Sequence, residues 1–361
     1  MNKKYIAEIE KIEAVLKESL PAIPSTAWYN QIFPNLDIKP LLAEPLLIPV
    51  RDLFKRGGKR WRPLLSHLVC RVLGGGDAVL PLLPLIEFTH NASLIHDDLE
   101  DNSDQRRGQP AIHLIYGSDT AINSGSFLYF LSLMALENWK GEAEDKNRLW
   151  MLWAKYLRFL HLGQSIDIAW HRDPSFVPSM DDYLVMCSLK TGCLSRFAAI
   201  LGAEAAYIAL KNTSVDLKTV ENQEFSVFLG DAAQKLGVAF QILDDVKNLS
   251  TGVKGKKRGD DVVEGKKSLP VLLFLHSDEE NKAKRANFVR RCFTAAREGG
   301  TDVPEVEEFI AALTESGALR EAEKQGKALM NEACTAFSAL KAVDSEAGSL
   351  LSGLSEFLLN A

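Results

Sequence analysis

In residues 79–101, VLPLLPLIEFTHNASLIHDDLED, apolar side chains recur at spacings of three and four until the run closes on Asp97, Asp98, Glu100 and Asp101. That period belongs to an α-helix, and one so apolar around its circumference belongs inside a helical protein. Outward from this stretch the same period recurs near 46–55, 61–73, 118–139, 148–171, 181–210, 222–249, 268–276, 304–315 and 320–358. Alternating strand patterns are nearly absent. The sequence predicts an all-α fold of about ten to thirteen helices in a single domain spanning 1–361, with a motif-bearing core over 46–280 and C-terminal helices over 281–361. Residues 5–19 read as a further amphipathic helix, and Pro21 and Pro24 open a connector lasting until about residue 43.

Composition excludes several classes of function. With 361 residues, 46% hydrophobic and 25% charged, the chain can bury a large core. A net charge of -6 and a pI near 5.8 speak against a nucleic-acid surface, which needs clustered excess Lys and Arg. The five cysteines, Cys70, Cys187, Cys193, Cys292 and Cys334, show no paired spacing, so the expectation is reduced thiols in the cytoplasm, with neither disulfides nor a zinc site. The N-terminus is charged throughout, unlike a signal peptide. Pro81 and Pro84 interrupt the most apolar run, and no transmembrane segment of the roughly 20 residues required is expected.

Polar residues on the apolar helices carry the chemistry. In a helix Asp97 and Asp101 share a face, with Asp98 beside them and Asp104 nearly two turns on, so their carboxylates can converge. Converging carboxylates need a cation, and hard oxygen donors of this kind suit Mg2+ completed by phosphate oxygens of a substrate. A second cluster, QILDDVKN at 241–248, sets Asp244 and Asp245 at the end of another apolar helix, with Asn248 one turn after Asp244. The Asn amide still offers an oxygen but brings no charge. One such cluster alone reads most simply as a polar helix end.

Basic residues accompany both clusters. GGKRWRP at 57–63 sets Lys59, Arg60 and Arg62 behind two glycines that let backbone approach a ligand, in the form of a diphosphate cradle. Arg106 and Arg107 offer planar forks that match phosphate oxygens, and Gly108 ends the element behind them. His90 and His96 precede the carboxylates. Lys190, Thr191 and Gly192 interrupt a long apolar helix, where Gly costs about 1 kcal/mol and an unpaired buried Lys costs more. A kinked helix presenting donors to a cavity accounts for both. Lys256, Lys257, Lys266 and Lys267 fall in a Gly-rich loop that reads either as a disordered, solvated turn or as a lid closing on phosphates.

As a set, GGKRWRP, HNASLIHDDLEDNSDQRRGQPAIH (90–113), KTG (190–192), FQILDDVKN (240–248) and GDDVVEGKKSLP (259–270) resemble, in order and separation, the trans-isoprenyl diphosphate synthases of the polyprenyl synthetase family over about 50–280. Within that family HNASLIHDDLEDNS, IYGSDTAINSGSFLYF and GQSIDIAWHRD look most like geranylgeranyl diphosphate synthases of the eukaryotic type. The resemblance implies a helical bundle around a central cavity and about three Mg2+ ions per site once substrate is bound. By it, Asp97, Asp98 and Asp101 would hold Mg2+ with the allylic diphosphate, and Asp244, Asp245 and Asn248 a further ion from the opposite helix. Lys59, Arg62, His90 and Arg107 would bind isopentenyl diphosphate. Arg106, Lys190, Thr191, Gln241, Lys256 and Lys266 would hold the allylic diphosphate, while Gln164 and Asp167 face the same cavity. The implied catalytic set is Asp97, Asp98, Asp101, Lys190 and Asp244. A second copy of the chain is the implied partner, through apolar helices such as GSFLYFLSLMALENW (125–139). Two positions depart from the pattern: Asn248 stands where many members have Asp, and Asn123–Ser126 lacks the Gly-Asp pair of bacterial relatives.

The implied chemistry needs no side-chain nucleophile. Cations around the leaving diphosphate lower the cost of breaking its carbon–oxygen bond, isopentenyl diphosphate attacks the allylic cation, and a dry cavity shields that cation from water. Product length follows from cavity depth beside the helix leading to Asp97. Ala92 and Ser93 are small and Thr89 lies a turn deeper, which at roughly 1.5 Å per residue leaves room for one more isoprene unit than farnesyl. A geranylgeranyl product is expected, with the floor set by Ile86, Phe127, Leu128 or a partner subunit. The rivals are a farnesyl or longer-chain synthase, a terpene cyclase, and a non-catalytic partner subunit of a synthase. The second basic cradle argues against the cyclase, and the two intact acidic clusters argue against the non-catalytic subunit.

Overall fold

Helices dominate the chain, as the hydrophobic period predicts. The computed structural model describes residues 3–36, 39–211, 213, 223–252, 257–278 and 280–360. Its longer helices are Lys3–Ser19, Pro40–Lys55, Trp61–Val72, Pro84–Glu100, Ser118–Leu131, Ala143–Arg172, Met180–Cys187, Cys193–Leu210, Gln223–Leu249, Lys282–Gly299, Pro304–Glu315 and Ala318–Ser338. Among the described residues the only strands are Gln105–Arg106 and Gln109–Pro110, a two-stranded antiparallel pair. Pro40, Pro84 and Pro304 each stand at a helix start, where the missing N–H would have no intrahelical partner anyway. Ser179 and Asp182 close a reciprocal capping box ahead of Met180–Cys187.

The expected segments divide more finely than ten to thirteen helices. The stretch 118–139 breaks after Leu131, and 320–358 breaks after Ser338 and again at Gly353. The Pro-rich connector holds a short helix, Thr26–Ile32, whose start is fixed by Ser25 accepting from the Trp28 N–H at 3.1 Å. Lys282–Gly299 has no counterpart among the expected helices.

The centre is built by Trp61–Val72, Cys193–Leu210 and Gln223–Leu249 packed side by side, with Ala318–Ser338 along the last of them. Leu64, Leu68, Phe197, Leu201 and Leu236 are fully buried there, each worth about 1.5–3 kcal/mol of burial. By length and composition alone, Met180–Leu210 is long and apolar enough to cross a membrane, although Asp181, Asp182, Lys190, Arg196 and Glu204 interrupt it. Its place at the centre of the bundle, with Lys190 in its middle, makes it a core helix. A second apolar cluster around Phe274, Phe293 and Phe309 lies among the later helices and meets the first through Leu329.

Candidate active site

The Pro84–Glu100 helix ends sooner than its acidic tail suggests. Asp101 is its C-cap, Asn102 turns left-handed (φ 54°), and the Ser103 N–H returns to the Asp98 carbonyl at 2.8 Å. Asp104 is therefore exposed beyond the turn, and it does not share a face with Asp97 and Asp101 as the helical spacing suggested. The chain then makes the short hairpin, with Arg107 (φ 56°) and Gly108 (φ 74°) as its two left-handed turn residues. This hairpin returns both arginines to the helix. Arg106 donates to Asp98 at 2.7 Å and to Asp97 at 3.2 Å, while Arg107 donates to Asn91 Oδ1 at 3.0 Å and to the Leu53 carbonyl at 3.1 Å.

Facing them, Met180–Cys187 and Cys193–Leu210 are joined by a π turn, Ser188–Gly192, where the sequence suggested a kink. The turn carries the Lys190 ammonium to Asp97 (3.1 Å) and Asp167. Thr191 Oγ1 donates to Gln241 at 2.7 Å, and the Gln241 amide donates to Asp245 at 2.7 Å. Gly163 of the Ala143–Arg172 helix makes the close approach possible, since a Cβ there would lie 2.3 Å from the Lys190 backbone nitrogen. Its neighbour Gln164 donates to Asp97 at 3.1 Å and to Glu100 at 2.8 Å.

The basic cradle begins at Gly58, where a Cβ would crowd the guanidinium groups of Arg60 and Arg107 at 3.1 Å each. Arg62 lies 3.5 Å from His90 Nε2, and the Lys59 ammonium sits 5.2 Å from the centre of the Phe240 ring. Arg60 has a different task. It is buried against Glu13 and Glu87 at 2.6 Å each.

One cavity of about 860 Å³ gathers these groups. Lys59, Arg62, His90 and Arg107 line it, as do Asp97, Arg106, Lys190, Thr191, Gln241, Asp244 and Lys266, so the two acidic helix ends open on one space. Asp98 is fully buried against Arg106, Asp101 lies 3.2 Å from the Lys266 ammonium, and Asp245 is buried beside Gln241. Asn248 does not line the cavity; its Oδ1 accepts from the Asp261 N–H at 3.3 Å, so the amide braces the following loop. Lys256 lies outside the described residues.

Of the depth residues, only Ser93 lines the cavity. Thr89 is fully buried, accepting from Trp153 Nε1 at 3.0 Å, and Ala92 is packed in the core, so the space does not continue along that turn. Ile86 and Leu128 are core residues, and Phe127 stacks on Phe33 at 6.1 Å. Tyr129, Leu160 and His161 form the wall in their place, with the Tyr129 ring 5.6 Å from His96 and 5.4 Å from His161. Gly125, one turn before Tyr129, was the available signal: a Cβ there would strike the His96 ring at 2.7 Å.

Electrostatics divide the cavity. Burial pulls Arg62 and Arg107 down to about 10, the neighbouring Arg60 and Arg106 adding to the effect on Arg107, and burial with four surrounding arginines keeps His90 well below its usual range. The nearest carboxylate on this wall, Glu87, is held by Arg60 and Asn91. Burial raises Asp101 to about 7, with Asp97 adding to it, and raises Asp245 well above the carboxylate range, with Asp261 adding. Burial opposes the charges of Lys190 and Lys266, but Asp167, Asp97 and Asp101 around the first and Glu264, Asp101 and Asp261 around the second outweigh it and raise both. Among the described residues no three His, Cys, Asp or Glu side chains close around a point to hold a metal alone. Hard carboxylate oxygens in an open arrangement fit Mg2+, which keeps positions for water and phosphate oxygens.

The polyprenyl synthetase family matches residues 43–299. The geranylfarnesyl diphosphate synthase of Aeropyrum pernix is 32% identical over 315 residues, 85% of this chain and 91% of that protein. A solved geranylgeranyl pyrophosphate synthetase from Pyrococcus horikoshii Ot3 superposes with a TM-score of 0.77 at 27% identity, covering 99% of both chains. A polyprenyl synthase from Caulobacter crescentus CB15, solved with calcium and isoprenyl diphosphate, gives 0.74 at 25% identity over 99% of this chain and 96% of that one. With its all-α fold and a shared cavity behind the two acidic helix ends, the chain belongs to the polyprenyl synthetase family and is a prenyltransferase.

Proposed function

We propose that this prenyltransferase joins isopentenyl diphosphate head to tail to an allylic diphosphate and releases geranylgeranyl diphosphate. The observation that carries the reading is one cavity lined on one side by the cations Lys59, Arg62 and Arg107 and on the other by the carboxylates of Asp97 and Asp244. On this reading the first group holds isopentenyl diphosphate. Arg106, Lys190, Thr191, Gln241 and Lys266 hold the allylic diphosphate, and Asp97, Asp98, Asp101, Asp244 and Asp245 hold Mg2+. Bound Mg2+ neutralises the leaving diphosphate and lowers the cost of breaking the carbon–oxygen bond. The calcium and isoprenyl diphosphate found in the Caulobacter crescentus protein support that pairing. Phe240, Leu94, Leu160 and Leu194 exclude water from the allylic cation, and the Phe240 face adds favourable charge–ring attraction.

Tyr129, held between His96 and His161, is the floor we infer. The two relatives named for geranylfarnesyl and geranylgeranyl products differ by one isoprene unit, so this wall decides the length. A second copy of the chain is the inferred partner, supported by Ile122 and Phe130, which stay 51% and 67% exposed on the Ser118–Leu131 helix. The five cysteines, all buried and unpaired, support a cytoplasmic location.

The purified chain, given Mg2+, geranyl diphosphate and excess labelled isopentenyl diphosphate, should yield labelled geranylgeraniol after dephosphorylation and chromatography. A dominant farnesol peak, or no turnover by the chain alone, sinks the assignment. Tyr129→Ala should shift the main product to at least one unit longer.

A further inference from the structure

The Lys3–Ser19 helix lies outside the 43–299 stretch matched by the family, yet a buried chain of hydrogen bonds joins it to the basic wall. Arg60 Nε donates to Glu13 at 2.6 Å, and Arg60 Nη1 donates to Glu87 Oε1 at 2.6 Å. The same Glu87 oxygen accepts from Asn91 Nδ2 at 2.9 Å, and Asn91 Oδ1 accepts from Arg107 at 3.0 Å. Arg60, Glu87 and Asn91 are 3%, 2% and 1% exposed, so losing a charged partner there costs more than it would at the surface. A second route converges on the same two arginines. The Leu53 and Phe54 carbonyls, in the last turn of Pro40–Lys55, accept from Arg107 and Arg60 at 3.1 and 3.3 Å, the Phe54 carbonyl sharing its second lone pair with the Gly57 N–H at 3.2 Å.

Arg60 also holds backbone. Its φ of 49° is left-handed, a conformation that a side chain other than glycine keeps only when its surroundings over-determine it. Glu13, Glu87, the Phe54 carbonyl and the Phe54 ring, 4.5 Å from the guanidinium, do so. Lys59 immediately precedes this residue and Arg62 follows it by two.

We propose that Glu13 is a positioning residue for the isopentenyl diphosphate wall: it fixes Arg60, which sets the Lys59 backbone directly and the Arg107 fork through Glu87 and Asn91. The proposal rests on reading Arg107 as a diphosphate ligand. The same helix supplies a control, because Glu8 grips the far end of Trp61–Val72 through His67 (3.1 Å) and Arg71 (2.7 Å), and Arg71 leads to Asp344 at 2.7 Å.

Full-length Glu13→Gln, Glu8→Gln, Arg107→Gln and the Glu13→Gln/Arg107→Gln double variant would be compared at saturating Mg2+ by KM for each substrate, kcat and thermal midpoint. Glu13→Gln should raise KM for isopentenyl diphosphate by roughly tenfold, with the allylic KM and kcat within about twofold. Glu8→Gln should lower the thermal midpoint at least as much and leave both KM values unchanged. The double variant should raise the isopentenyl KM by clearly less than the product of the two single effects, because both act in part through Arg107. An unchanged isopentenyl KM in Glu13→Gln, or an equal rise in Glu8→Gln, overturns the proposal. An unchanged KM in Arg107→Gln overturns the assignment of Arg107 and the relay with it, whereas an Arg107→Gln effect without a Glu13→Gln effect overturns the relay alone.

Discussion

Gly163→Ala is the smallest change that tests whether the π turn places Lys190. The added Cβ would lie 2.3 Å from the Lys190 nitrogen, 2.6 Å from the Leu189 carbonyl carbon and 2.7 Å from the Lys190 Cα. All three are backbone atoms, so no side-chain rotation relieves the contact. Reaching ordinary van der Waals separation requires the Ala143–Arg172 helix and the turn to part by about 1 Å. The strain should cost about 1–3 kcal/mol of stability, as overpacking usually does. Its larger effect falls on chemistry. The Lys190 ammonium stands 3.1 Å from Asp97, and Gln164, beside the substituted residue, also bonds Asp97. A displacement near 1 Å there should lower kcat by about a hundredfold. Single-turnover rates with saturating substrates, read beside urea unfolding, separate the two effects. Gly75→Ala is the control: its Cβ would meet the Ala206 Cα at 2.5 Å, and neither residue lines the cavity. It should match the stability loss without the loss of rate. If Gly163→Ala is destabilised yet turns over within twofold of the parent, the π turn does not position Lys190.

Two further outcomes follow from the charges. Arg106→Lys keeps the charge but replaces a fork that bonds both Asp97 and Asp98 with a single ammonium, so KM for the allylic diphosphate should rise roughly tenfold in steady-state assays while the isopentenyl KM holds. An equal rise in both would contradict the division of the cavity into two diphosphate sites. Lys267, 3% exposed over the Phe293 ring, is depressed to about 8, mainly by burial and then by Arg297. A lysine whose folded pKa lies below its unfolded value of 10.5 costs the fold stability progressively as pH falls from about 10.5 to about 8, so raising pH from 7 to 9.5 should return about 2 kcal/mol through this group. Lys267→Met should be more stable than the parent at pH 7, and that advantage should shrink by more than half by pH 9.5 in urea titrations. An advantage independent of pH would mean that Lys267 is not charged and buried as described.

How much of this was legible depends on the range of the interaction. The all-α fold followed from a period of three to four that burial imposes on every central helix, and the motif residues could be grouped because their chemistry is shared. The helix at 282–299 was hidden because its buried positions Val289, Cys292, Phe293 and Ala296 keep helical spacing inside a strongly basic stretch, where composition masks period. The end of the Pro84–Glu100 helix was misplaced past Asp101, because the left-handed Asn102 and the hairpin turn at Arg107 and Gly108 are set by returning hydrogen bonds. Thr89 and Ala92 failed as depth residues for a similar reason. Helical spacing says which face they share, but the Trp153 indole, 64 positions away, closes over Thr89. Arg60 reads like another phosphate ligand in GGKRWRP; only the position of Glu13 and Glu87 shows it as an anchor.

The two walls also differ in what they ask of a ligand. Arg62 and Arg107 are buried cations, still charged at neutral pH but pulled down to about 10 by burial, so an incoming diphosphate meets a site that gains by accepting it. Across the cavity Arg106, Lys190 and Lys266 are already paired with Asp98, Asp97 and Asp101. A free diphosphate there would face carboxylates, and a free divalent ion would compete with two lysines and an arginine for their oxygens. On the proposed reading, a divalent ion and a diphosphate arriving together would be held by the carboxylates of Asp97 and Asp101 and by Arg106, Lys190 and Lys266, and their opposite charges would offset the cost of parting these pairs. Like-signed acids at 97–101 are tolerable in the protein because their countercharges wait on the π turn and the 266 loop, already within about 3 Å.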